Sequence, residues 1–161
     1  MIVVSDASPL VAFIELDRLD VLPALFGEVV VPQAVYDELR HLTRFYEQAD
    51  RLLTARWLQI RTVRRRDDVN FLLERVNLGE AEAIVLCEEL AATLLLIDER
   101  AGRQVAHERS IAHTGTLGVL RQAKQTGLMA ELKPAIDVLR ERLQFRLSDV
   151  LVAEFLSSVN E

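Results

Sequence analysis

Apolar residues along this chain fall in short blocks that switch between strand-like runs and helical spacing. Ile2-Val3-Val4-Ser5 is a β-rich run closed by Asp6. Ser8-Pro9 then reads as a helix start, with Ser8 as N-cap and Pro9 in the first helical position. Leu10, Phe13, Ile14 and Leu16 supply that helix's apolar stripe. Glu28-Val29-Val30-Val31 reads as a second strand, and Pro32 opens a helix with Ala34, Val35, Leu39 and Leu42 on one side. The polar stretch 44–55 reads as helical, and Trp57-Leu58-Gln59-Ile60-Arg61-Thr62-Val63 alternates as a strand. Arg64-Arg65-Arg66-Asp67-Asp68 is a charged connection. Gly79 to Glu89 is helical, and Thr93 to Ile97 is a fully apolar strand ended by Asp98. A helix over 102–108, a short strand over 111–114 and a helix over 116–125, stopped by Gly127, follow. The stretch 134–159 holds two amphipathic helical patterns, split around Phe145-Arg146-Leu147, with Ser148 capping the second.

Strands that alternate with helices, and that lack a two-residue polar rhythm, imply an α/β fold. The architecture expected is three-layer α/β/α, a central parallel sheet covered on both faces. No repeat or Gly/Ser-rich linker divides the chain, so one domain over 1–161 is expected, with the helices of 134–159 packed on it.

Composition narrows the function classes. With 50% hydrophobic and 27% charged residues, the 161-residue chain is ordinary globular protein rather than disordered. The single cysteine, Cys87, excludes an intramolecular disulfide and a cysteine-built metal site, and the three histidines share no motif spacing. Acids outnumber bases 25 to 19, a net charge of −6 that repels polyanions. A nucleic-acid function therefore needs a local basic patch, a bound cation or a partner. The N-terminus lacks a signal-peptide pattern, and the longest charge-free apolar stretch, Leu90 to Ile97, is far short of a membrane span. A cytoplasmic protein is expected.

Four carboxylates are placed where such a fold could gather them. Ligands of open α/β sheets sit beyond the carboxyl ends of the strands. Asp6 and Asp98 each follow an apolar strand directly, so parallel neighbours would bring them to one edge. Glu38 lies about 60° from Val35 and about 40° from Leu42 on a helical wheel, at the border of the apolar stripe. Asp37 points away. In Leu78-Gly79-Glu80-Ala81-Glu82-Ala83-Ile84, Glu80 shares a face with Ile84 and Cys87, at the amino end of the sheet-facing stripe. Glu82 falls on the far side and reads as supporting. For each acid alone, the plain alternative is a cap, a turn or a rim ion pair. Together, four uncompensated acids repel, and a hard divalent cation, Mg²⁺ or Mn²⁺, resolves that with oxygen ligands. Such a site suits attack of water on a phosphodiester.

The ordered set of segments resembles the PIN-domain family, the fold of VapC-type toxin ribonucleases. Ile2 to Leu10 resembles its opening strand and first acid, and Val31-Pro32-Gln33-Ala34-Val35-Tyr36-Asp37-Glu38-Leu39 its second. Leu78 to Ile84 and Leu94-Leu95-Leu96-Ile97-Asp98 resemble the third and fourth. Arg100 to Arg103 and Gly115-Thr116-Leu117-Gly118-Val119-Leu120 resemble a shorter, PIN-like branch. The resemblance implies a metal-dependent endoribonuclease, the toxin of a toxin–antitoxin pair. Asp6, Glu38, Glu80 and Asp98 would be the catalytic and metal-holding quartet. Ser8, Glu82, Arg103 and Thr116 would support it. A family pattern with a further acid soon after the fourth finds Glu99 and Arg100 here.

Arg103 would orient a carboxylate or hold phosphate, and Thr116 would cap its helix or contact phosphate. Arg61 and Arg64 to Arg66 form the concentrated positive patch, read as a solvated face or as a contact for RNA or an acidic partner. Trp57 and Phe71 read as core, and Cys87 as inert. Two other functions fit the same residues: a non-catalytic PIN-fold interaction module for protein or RNA, and a phosphotransfer domain. The latter is weakened by the want of a strand-end lysine. A surplus of apolar helical surface (Leu10, Phe13, Ile14 and Leu16, then Val138, Leu139, Leu143, Val150, Leu151, Phe155 and Leu156) predicts a homodimer, with a small antitoxin as further partner.

Overall fold

Successive residues of the first strand face opposite sides of the molecule. Val3 joins one hydrophobic cluster and Val4 a second. Leu96 likewise faces the first, and Leu95 and Ile97 the second. A sheet buried on both faces needs apolar residues at every position, which is why these strands lack polar alternation. The computed structural model describes residues 1–44, 46–143 and 145–161.

Among the described residues, five strands form one parallel sheet: β1 (Val3–Ser5), β2 (Val29–Pro32), β3 (Leu58–Arg61), β4 (Leu94–Leu96) and β5 (His113–Thr114), in spatial order β3-β2-β1-β4-β5. The helices are α1 (Ala7–Glu15), α2 (Val21–Phe26), α3 (Gln33–Leu42), α4 (Ala49–Leu53), α5 (Arg66–Leu72), α6 (Leu78–Leu90), α7 (Arg100–Glu108), α8 (Thr116–Gln125), α9 (Lys133–Arg142) and α10 (Asp149–Ser158). Helices α1, α2, α8, α9 and α10 bury side chains in the first cluster, and α5, α6 and α7 in the second. This is the expected three-layer α/β/α arrangement.

Sheet order reverses between β1 and β4, the topological switch point where open α/β sheets bind ligands. Ser5 pairs with Leu96, so the chain leaves both strands side by side into Asp6 and Asp98.

Several expected elements differ. The 44–55 stretch contains only the short α4, and Phe45 within it lies outside the described residues. Gln144, inside the expected 134–159 helical tail, also lies outside them. The charged connection at 64–68 runs into α5, and α2 carries Pro23 in its first turn. Helix α1 starts at Ala7 with Asp6 in the N-cap position, so Ser8 sits inside the first turn and is not the cap. Phe71 is 73% exposed rather than core, whereas Trp57 packs against the first cluster. The apolar surplus is mostly core: Leu10, Phe13, Ile14, Leu139 and Phe155 are buried, and of that group only Val150 and Leu151 stay exposed. The observation behind the expected homodimer is correspondingly smaller.

Among the described residues, no helix is long and apolar enough to cross a membrane.

Candidate functional site

Asp6 follows β1 directly at the switch point of the sheet. Its backbone N–H donates to the Leu96 carbonyl at 2.9 Å, continuing the β1–β4 ladder by one rung. The residue is left only 3% exposed, and Oδ1 is buried without a hydrogen-bond partner among the described residues. Ser8 therefore does not hold that oxygen. A buried polar atom without a partner costs about 1–3 kcal/mol, and more if charged. Burial pushes the Asp6 carboxyl up to about 7; the neighbouring Ala7 N–H opposes this, and the negative charges of Glu80, Glu38 and Asp98 add to it. Those three carboxylates thus lie within electrostatic reach of Asp6.

Asp98, at the end of β4, is fastened from the other side. Its Oδ1 accepts from the Thr116 backbone N–H and its Oδ2 from the Thr116 hydroxyl, both at 2.7 Å. Thr116 opens α8, so the carboxylate caps the helix, and Thr116 neither caps it nor faces solvent. Burial raises the Asp98 carboxyl above its ordinary range, against the two Thr116 bonds and the positive charge of Arg103. Gly115 makes room for this: a Cβ there would stand 2.7 Å from Asp98 Oδ1.

Helix α6 carries Glu80. The cap of this helix is Asn77, whose side-chain oxygen accepts from the Glu80 N–H at 2.8 Å. The Glu80 carboxylate in turn accepts from Asn77 Nδ2 at 3.0 Å and from the Asn77 N–H at 3.3 Å, completing a capping box. Glu80 therefore has a structural role as well as a place beside Asp6. Burial raises its carboxyl, with the charges of Glu99 and Glu38 adding and the Asn77 bond opposing. Sequence reasoning passed over Asn77, although the Asn-x-x-Glu spacing is the cap signature.

Glu38 reaches the group from α3, half-buried, its carboxyl raised by burial. It lies against the bare face of Gly79, where a Cβ would stand 3.0 Å from Glu38 Oε2. The expected wheel geometry holds, since Val35 and Leu39 are buried and Asp37 is exposed, hydrogen-bonded by Gln33. Leu42, however, is exposed.

Glu82 is held apart from these acids. Only 5% exposed, it accepts from the Ala34 N–H at 3.0 Å through Oε1 and from Arg66 Nη1 at 2.7 Å through Oε2. It fastens α6 to the first turn of α3. The expectation of a single sheet-facing stripe on α6 is too narrow: Gly79 to Cys87 are all buried, because α3, α5 and α7 pack around it. Cys87 is buried there and its thiol is pushed up to about 12.

The positive run is engaged in part. Glu89 Oε1 accepts from the backbone N–H groups of Arg64 and Arg65 at 2.8 and 2.9 Å, and the Arg64 guanidinium makes no ion pair among the described residues. Arg65 also pairs with Asp68 and Glu88, and Arg66 with Glu82. Glu99 is the acid that sequence reasoning undervalued. It is the N-cap of α7, and its charge bears on both Glu80 and Asp98.

The donor set is all oxygen, and Asp6 Oδ1 is a buried acidic oxygen without a hydrogen-bond partner among the described residues. Both suit a hard divalent cation. Among the described residues, no group of three or more His, Cys, Asp or Glu side chains is ready-assembled at metal-holding geometry. Mg²⁺ tolerates that, since it keeps waters and takes one or two carboxylates directly.

A parallel α/β/α domain with carboxylates at its switch point belongs to a class that includes nucleases and phosphotransfer domains. The sequence model of the family described as the PIN domain matches residues 2–161, and the chain belongs to that family. No curated protein and no solved structure matches it.

Proposed function

We propose that this protein is a metal-dependent endoribonuclease, the toxin half of a toxin–antitoxin pair of the VapC-like kind. The observation that carries the reading is Asp6 Oδ1, a buried carboxylate oxygen without a hydrogen-bond partner among the described residues, within electrostatic reach of three further acids. In this reading Asp6, Glu80, Glu38 and Asp98 hold Mg²⁺ or Mn²⁺, with Asp6 the direct ligand. When bound, such a cation offsets phosphate charge and activates water for attack at phosphorus. Thr116 fixes the Asp98 carboxylate, and the Asn77 capping box fixes Glu80. Glu82 keeps α3, and with it Glu38, against α6.

Incubation of the purified protein with single-stranded RNA and Mn²⁺ tests this. Cleavage that disappears in Asp6→Asn and in EDTA is expected, and intact RNA with folded wild-type protein overturns it. One observation favours a second reading, a PIN-fold module that binds protein or RNA without cutting: the described acids are not ready-assembled around one point. RNA binding without metal-dependent cleavage is its outcome.

Two partners belong to the first reading. A small antitoxin protein would neutralise the site, and a second copy would form a homodimer. Light scattering at micromolar concentration tests the dimer, since one chain weighs 18.2 kDa. Twice that mass supports it, and an unchanged monomer mass on tenfold concentration removes it. A cytoplasmic location goes with an RNA substrate.

A further inference from the structure

An acidic nuclease has to hold a polyanion, and the two central arginines of the obvious basic run are turned toward the protein's own acids. Arg65 and Arg66 pair with Asp68, Glu88 and Glu82, Arg75 pairs with Glu108, and Arg109 with Glu88. Helix α7 instead presents its arginines beside the acid group. It buries Gly102, Val105 and Ala106 and turns Arg100, Arg103, Gln104 and His107 outward. Neither the Arg100 nor the Arg103 side chain makes an ion pair or a hydrogen bond among the described residues.

Helix α7 is also pressed against the acid group. Gly102 packs so tightly that a Cβ would stand 2.5 Å from Ile97 Cδ1 and 3.6 Å from Glu80 Oε2. The next residue is Arg103, whose N–H donates to the Glu99 carbonyl at 2.9 Å, one turn beyond Asp98. Its positive charge reaches the Asp98 carboxylate without closing a hydrogen bond on it. An arginine whose whole task was to orient Asp98 would complete that bond, and here both Asp98 oxygens are oriented by Thr116 instead. The guanidinium is left exposed at the rim, its donors available in the planar fork that fits phosphate.

We propose that Arg103, with Arg100 one turn before it on the outer face of α7, grips a backbone phosphate of single-stranded RNA flanking the bond to be cut. This rests on the nuclease reading and adds to it the surface that holds the substrate. The contact is with phosphate and carries no sequence preference.

The test measures binding of a labelled single-stranded RNA of about 12 nucleotides, with Ca²⁺ replacing the catalytic cation, across about 50 to 200 mM NaCl. Wild type, Arg103→Ala, Arg103→Lys, Arg100→Ala and the control Arg64→Ala are compared, with Mn²⁺-dependent cleavage assayed in parallel. Arg103→Ala should weaken binding about fivefold at the lowest salt and flatten the log–log salt slope by about 0.7, the value of one lost single-strand phosphate contact. Arg103→Lys should keep the slope, and Arg64→Ala should match wild type. A wild-type slope in Arg103→Ala overturns the proposal, including the case where that variant loses only Ca²⁺ affinity, which would make Arg103 a positioning residue for Asp98. If wild type cuts RNA while Arg103→Ala binds it normally, only the grip fails. If wild type neither binds nor cuts, the nuclease reading fails and the grip with it.

Discussion

The carboxylate of Asp98 caps helix α8 through Thr116, accepting one hydrogen bond from its backbone and one from its hydroxyl. A site acid therefore contributes to folding, which sets it apart from Asp6. Thr116→Val removes the hydroxyl bond and leaves Asp98 Oδ2 unsatisfied, so a loss of about 1.5–3 kcal/mol is expected. Asp98→Ala should cost a similar amount, as it removes the cap and strands a buried hydroxyl. Asp98→Asn keeps an acceptor for the Thr116 N–H and should stay within about 1 kcal/mol of wild type. Gly115→Ala should also destabilise, by about 1–3 kcal/mol, because its methyl would collide with the bonded Asp98 Oδ1. Urea unfolding in EDTA measures all four. Equal losses for Asp98→Asn and Asp98→Ala would show that the charge, not the cap, matters.

Asp6 acts in the opposite direction on stability. Its carboxyl titrates at about 7 in the folded protein, against 3.8 for an ordinary aspartate. Between those values the folded chain holds a proton that the unfolded chain has released. Metal-free stability should therefore fall as pH rises from about 4 to about 7, by roughly 4 kcal/mol in all. The raised carboxyls of Glu38, Glu80 and Asp98 act in the same direction. Asp6→Asn should match wild type near pH 4, exceed it at pH 8 and flatten the curve. Denaturant titrations at the two pH values decide this, and a wild-type curve that climbs across the window refutes it.

Divalent metal should reverse that cost. A cation that binds only the folded state adds about 2.7 kcal/mol at 100 times its Kd. For a chain of this size that is about 5–10 °C in Tm. The shift should appear with Mn²⁺ or Mg²⁺ in wild type and vanish in Asp6→Asn. Melts that do not move at millimolar metal would leave the four acids as structural residues and favour the non-catalytic module.

The strands and the acids at their ends were legible because a doubly covered sheet demands uninterrupted apolar runs, and Asp6 and Asp98 interrupt them abruptly. Glu38 was legible from one helical wheel. What the sequence hid depends on contacts between distant segments. Thr116 looked like a cap, but it is Asp98, 18 residues earlier, that does the capping. The Arg64 to Arg66 run reads as a solvated face or a partner contact, but Arg65 and Arg66 pair with Glu88 and Glu82 of α6, and Glu89 accepts from the backbone of Arg64 and Arg65. Phe71 looked like core because aromatic residues usually are, yet α5 turns it outward. Glu99 enters the sequence reading only through the family pattern of a further acid, although its place directly after a strand-ending acid is a signal of its own.

Glu82 links three helices, and its two bonds should separate on mutation. The Ala34 N–H belongs to the first turn of α3, where a helix has no internal acceptor for it. The Arg66 side chain is half in solvent, so its ion pair should contribute only about 1 kcal/mol. Glu82→Ala removes both and leaves the Ala34 N–H unsatisfied, for a loss of about 2–3 kcal/mol. Arg66→Ala removes only the pair and should cost about 1 kcal/mol or less. Because α3 carries Glu38 and α6 carries Glu80, Glu82→Ala should also shrink the Mn²⁺-induced rise in Tm, while Arg66→Ala preserves it. Urea unfolding and melts with and without Mn²⁺ give both readings. An Arg66→Ala variant as damaged as Glu82→Ala would show that the ion pair, rather than the bond to α3, holds this side of the acid group together.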